Sequence, residues 1–111
     1  MEIGHKYHDE ILEIDLFGEL FSEKIPFLEF KLSELISTVD KVIINCEELI
    51  YIDSKGLGMI IKILKLIREK KGELLICSVQ GKVKKVFELT RFDRYITIHK
   101  DIEEALNHFE S

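Results

Sequence analysis

Two short stretches restrict the fold of this chain more than anything else in it: Val-Ile-Ile-Asn-Cys at 42–46 and Leu-Leu-Ile-Cys at 74–77 are apolar at nearly every position. A strand with one wet face alternates polar and apolar residues, whereas a strand apolar on both faces belongs inside a parallel sheet covered by helices. Residues 11–16 alternate in part, with Glu13 and Asp15 set among Ile11, Leu12, Ile14 and Leu16, and read as a further strand. Residues 2–7 are placed to pair beside it across the short turn Asp9-Glu10.

Between these strands the period changes to that of helices. Over 22–38 the apolar positions Ile25, Leu28, Leu32, Leu35 and Ile36 fall at helical spacing, and Pro26 suits a first turn, where its missing N–H costs least. Further helices are expected over 55–70, 82–89 and 101–109, the last capped by Asp101, with a final strand over 95–98. Strands alternating with helices call for a mostly parallel sheet joined by crossover connections.

The chain's 111 residues suit one domain, 1–111, with a single core. With 46% hydrophobic and 33% charged residues, one proline and six glycines, it has the composition of a globular protein. A net charge of −5 argues against bulk nucleic-acid binding, and Lys82, Lys84 and Lys85 read as a solvated helix face. No apolar run is long enough to cross a bilayer and no basic leader precedes one, so a cytoplasmic location is expected. Cys46 and Cys77 each end an apolar run rather than forming a close pair, so small buried hydrophobes are expected, with no zinc site and no cofactor.

The segment Leu49-Ile50-Tyr51-Ile52-Asp53-Ser54-Lys55-Gly56-Leu57-Gly58 says most about function. An apolar run ends in Asp-Ser just where an amphipathic helix begins. The first turn of a helix leaves backbone N–H groups without partners at the positive end of the dipole, so a phosphoryl group on a serine is accepted there. It would add about −2 of charge to the surface and leave the fold intact. The same pattern is also that of an ordinary N-cap. The helix that follows is apolar over an arc of roughly 220° at 100° per residue, against the ~100° of a surface helix. Leu57, Ile60, Ile61, Leu64 and Ile67 suit the sheet. Met59, Ile63 and Leu66 are left to meet a neighbouring helix or to form a docking surface.

The segment resembles the signature of the STAS-domain anti-sigma factor antagonists of bacteria, in which an apolar strand and a loop lead to Asp-Ser-(Ser/Thr)-Gly-Leu-Gly opening a helix. Here 42–46 is similar to that strand, 47–52 to the loop, and Asp53-Ser54-x-Gly56-Leu57-Gly58 to the signature. Upstream, Gly18-Glu19-Leu20 resembles the family's Gly-Glu-Leu-Asp corner, with Phe21 in the acid's place, and Lys55 replaces the Ser or Thr after the serine. The resemblance implies a single STAS-like α/β domain with a small, mixed, mostly parallel sheet and helices mainly on one side. It also implies an anti-anti-sigma factor: unphosphorylated, it binds an anti-sigma factor that is a serine kinase, phosphorylation of Ser54 ends the complex, and a phosphatase restores it. The implied partner surface comprises Glu19, Phe21, Ser22, Asp53, Ser54, Lys55, Gly56, Leu57, Gly58, Met59 and Ile63. Phe21 and Lys55 favour the alternative of a STAS module without a phosphorylation cycle, which senses a small molecule such as a nucleotide or serves in a larger regulatory assembly.

Enzyme chemistry has little support in the residues. Asp53 and Ser54 are adjacent and lack the Gly-x-Ser-x-Gly elbow of a hydrolase. His5 and His8, three apart on a strand, point to opposite faces and make a poor metal pair. Gly56-Leu57-Gly58 has neither the third glycine nor the Gly-Lys-Ser/Thr ending of a phosphate loop.

Overall fold

The computed structural model describes residues 3–20 and 22–110, with the side chain of Ser22 also outside the description. The elements run β1 (Ile3–His8), β2 (Ile11–Leu20), α1 (Ile25–Ile36), β3 (Lys41–Ile52), α2 (Ser54–Glu69), β4 (Glu73–Cys77), α3 (Gly81–Leu89), β5 (Ile98–His99) and α4 (Ile102–Glu110). One five-stranded sheet has the order β1-β2-β3-β4-β5, with β1 antiparallel to β2 and all other neighbours parallel. Sequential strands joined by crossovers of one hand must place every connecting helix on the same face. Accordingly α1, α2 and α3 share one core with Leu12, Ile14, Leu16, Ile44, Cys46 and Ile76, and only α4, after the last strand, closes on the opposite face. There Ala105 packs with Ile11, Ile43, Leu75 and Cys77, so adjacent residues of β3 and β4 enter different cores and these runs are apolar throughout.

Four expected boundaries move. The strand expected over 11–16 runs on to Leu20, so the expected corner at Gly18-Glu19-Leu20 is strand, held by its pairing with β3. The first helix is preceded by a 3-10 turn over Ser22–Lys24 and begins at Ile25, with Pro26 in its first turn. The expected loop over 47–52 is strand, because β3 continues to Ile52 and stays paired with β2 through register shifts after Asp15 and Gly18. Those shifts alter the phase of the alternation and turn Leu49 and Ile52, three apart, into the same core. The final strand is Ile98–His99 rather than 95–98. A 3-10 turn over Phe92–Arg94 comes first and buries Phe92 edge-on against Phe87, with ring centroids 5.1 Å apart.

The half of the sheet face that α4 leaves uncovered is polar. Glu13 is 1% exposed, yet it has His8 Nε2 at 2.6 Å, Asn45 Nδ2 at 3.2 Å and Lys6 Nζ at 3.8 Å. Burial works to raise the Glu13 pKa, but hydrogen bonds with Asp15, His8 and Asn45 together outweigh it and hold the carboxyl below its ordinary value. Asp15 goes the other way, pushed up to about 7 by burial and then by the hydrogen bond and charge of Glu13. The two opposite shifts both favour protonation of Asp15 over Glu13.

Candidate functional site

β3 delivers the chain to the carboxyl edge of the sheet, where Asp53 turns it into α2. Asp53 is extended (φ −99°, ψ −177°), and its Oδ1 accepts from the Gly56 N–H at 2.8 Å, so it is the N-cap. The Leu57 N–H bonds to the Asp53 carbonyl at 2.9 Å, which starts the helical ladder. The Asp53 N–H bonds to the Leu20 carbonyl at 3.3 Å and ties the corner to the end of β2. Gly56 is required by the same joint: a Cβ there would lie 2.8 Å from Ile52 Cγ1 and 3.1 Å from the Leu20 carbonyl oxygen.

With the cap supplied by Asp53, Ser54 is the first helical residue, exposed, and its hydroxyl has no hydrogen-bond partner among the described residues. The N–H groups of Ser54 and Lys55 have no acceptor within the helix, so an anion on Ser54 Oγ would meet unpaired donors and the positive end of the dipole. The outward side of α2 continues from Ser54 through Lys55, Gly58, Lys62 and Lys65, all exposed. Gly58 differs from Gly56, since a Cβ built on it would meet nothing within 4 Å.

The residues expected to form a partner surface divide in two. Glu19, exposed and in register with Tyr51 of β3, lies near the corner with Asp53, Ser54, Lys55 and Gly58. Met59 and Ile63 are corrected: they are 2% and 0% exposed and belong to the core. Their helical positions continue the flank from which Lys62 ion-pairs with Glu29 of α1, so the wide apolar arc of α2 is filled by α1 on one flank and by the sheet below. Gly56 and Leu57 are also buried and contribute through backbone and packing rather than exposed side chains. Phe21 lies outside the described residues, as does the side chain of Ser22.

Elsewhere, Cys46 and Cys77 are buried on opposite faces of the sheet, and burial raises both thiol pKa values, that of Cys77 to about 11. Among the described residues no group of three or more His, Cys, Asp or Glu is placed to hold a metal ion, and no helix is long and apolar enough to cross a membrane. A cleft of about 600 Å³ opens between α3, β5 and the start of α4, lined by Lys84, Phe87, Glu88, Asp93, Ile98 and His99 among others. Ser54 is not part of it. Sequence reasoning missed Phe27 and Phe30, exposed on α1. Both fall off the helix's apolar stripe, and that was the available signal.

A signature serine at the start of a helix on this sheet defines a class, and the chain belongs to the STAS domain family, whose model matches residues 3–105. It is 26% identical over 112 residues to the anti-sigma F factor antagonist of Paenibacillus polymyxa, covering 99% of this chain and 96% of that protein. Its fold superposes with a TM-score of 0.92 on a Thermotoga maritima protein provisionally assigned as an anti-sigma factor antagonist, at 27% identity over 98% of this chain and 95% of that one. The Bacillus anti-sigma factor antagonist SpoIIAA, solved in unphosphorylated and phosphorylated forms, shares the fold at a TM-score of 0.75 and 24% identity. It covers 98% and 96% of this chain, respectively, and 98% of SpoIIAA in each form.

Proposed function

We propose that this protein is an anti-sigma factor antagonist that acts as a single cytoplasmic domain by partner switching, as a regulator and not as an enzyme. In its unphosphorylated form it binds an anti-sigma factor that is also a serine kinase; phosphate on Ser54 ends the complex, and a phosphatase restores it. The observation that carries this reading is the division of labour at the corner. Asp53 caps the helix, which leaves the Ser54 hydroxyl exposed and without a structural task at a position that accepts an anion. A phosphate there changes the charge of the outward side of α2 by about −2 while the corner stays braced, so binding switches without a change of fold. The relatives that share this fold, one of them solved with and without phosphate, support the reading.

The test is incubation with ATP and each purified kinase-type anti-sigma factor of the source organism, followed by mass spectrometry. One phosphate on Ser54, absent from Ser54→Ala, is expected; phosphorylation elsewhere or none at all overturns the reading. The cleft beside β5 and the cation at Lys55 favour a second reading, a STAS module that senses a small molecule. A thermal-shift screen with nucleotides tests it, and a shift that survives Ser54→Ala would support it.

A further inference from the structure

Large apolar side chains are exposed at several places, but no two of Tyr7, Phe17, Ile50, Leu89 and Tyr95 lie on the same element. Among the described residues only α1 exposes two, Phe27 at 70% and Phe30 at 66%, and a spacing of three puts them side by side on one helix face. Neither is needed by the core, which α1 enters through Ile25, Leu28, Leu32 and Ile36. Paired aromatics held on a rigid helix are the side chains that anchor protein interfaces, since they bury large area at low entropic cost.

From this placement we infer that Phe27 and Phe30 are a docking anchor for the anti-sigma factor, which covers them together with the outward side of α2. The inference rests on the partner-switching reading. The two surfaces adjoin: α1 and α2 both begin at the carboxyl edge of the sheet and pack together, and the Glu29–Lys62 ion pair joins them one residue from Phe30 in sequence. Charge selects the occupant. Lys55 and Lys65 line the α2 side of the patch, Lys62 being paired with Glu29, so a second copy of this chain related by a two-fold axis would set these two cations against their own images. An acidic partner surface with an apolar pocket for the two rings is complementary to both parts. Such a partner is the one that phosphate on Ser54 repels.

The experiment compares native protein with Phe27→Gln/Phe30→Gln and with Phe30→Gln alone, after thermal unfolding has shown each to be folded, using the purified anti-sigma factors of the source organism as probes. The double variant is expected to bind at least tenfold more weakly and to be phosphorylated on Ser54 with a raised KM and an unchanged kcat. Unchanged affinity and KM, with Ser54→Glu still abolishing binding, would overturn the anchor and leave the partner-switching reading standing. If the native protein binds none of the probes, that reading fails and the anchor fails with it. If the native protein is a dimer that the double variant dissolves, a second copy covers the patch and the inference is wrong.

Discussion

The two sides of α2 carry the same residue types to opposite ends. On the inward side Gly56 is pressed between Ile52 and Leu20, and Met59 and Ile63 are sealed against solvent. On the outward side Gly58 faces open space, and Ser54 holds an exposed hydroxyl with no partner among the described residues. Burial therefore decides what a residue of the motif is for. The inner glycine permits a joint, whereas the outer one weakens a helix by up to about 1 kcal/mol relative to alanine with no gain inside the domain.

The contrast breaks most visibly at Ile63. Ile63→Lys places an unpaired cation in a sealed core and is expected to cost at least about 4 kcal/mol, enough to unfold a domain of ordinary stability. Denaturant unfolding measures it, and a folded variant would mean that the α1–α2 contact opens and that this flank is available to a partner after all. Gly56→Ala forces Ile52 or the end of β2 to move and should cost about 1 to 3 kcal/mol.

Asp15 sharpens the contrast, because it is partly buried and yet ionisable. Its folded-state pKa of about 7 lies above the ordinary 3.8, so stability is fully present below pH 4 and is lost as the pH rises through 7. At about 1.4 kcal/mol per unit, reduced by partial exposure and by the interaction with Glu13, the loss is about 1 to 3 kcal/mol. Asp15→Asn should flatten stability between pH 4 and 7. The acid limb should remain, because the lowered Glu13 pKa removes stability as the pH falls through that carboxyl's own range. A slope unchanged by the substitution would assign it to a group other than Asp15.

The smallest effects belong to the outward side. Gly58→Ala should raise stability by up to about 1 kcal/mol, opposite in sign to Gly56→Ala, as compared by denaturant midpoints. Ser54→Ala should change stability by less than about 0.5 kcal/mol, since the helix cap is supplied by Asp53. A loss of 1 kcal/mol or more would make Ser54 structural and remove the contrast on which the switch rests.

Much of this was written in local pattern. Runs apolar on both faces, the helical spacing of Ile25, Leu28 and Leu32, and Asp-Ser ahead of Gly-x-Gly are statements about neighbours in the chain, and they suffice for an α/β sheet with an exposed serine at a helix start. The resemblance carried by the same residues added the family. What local pattern did not reveal depends on residues far apart. The resemblance implied a loop over 47–52, but pairing with β2 keeps the segment as strand, with one extra residue of β3 at each register shift. The wide apolar arc of α2 left Met59 and Ile63 open to two fates, and the position of α1, joined through Glu29 and Lys62, decided in favour of the core. Spacing alone does not reveal that the helix carrying Phe27 and Phe30 packs against α2, or that Glu13 is buried with His8 and Asn45 bonded to it while Asp15 is pushed the other way. Periodicity says which side of an element is apolar; only the packed fold says what covers it, because burial is a property of the neighbours that tertiary contacts bring together.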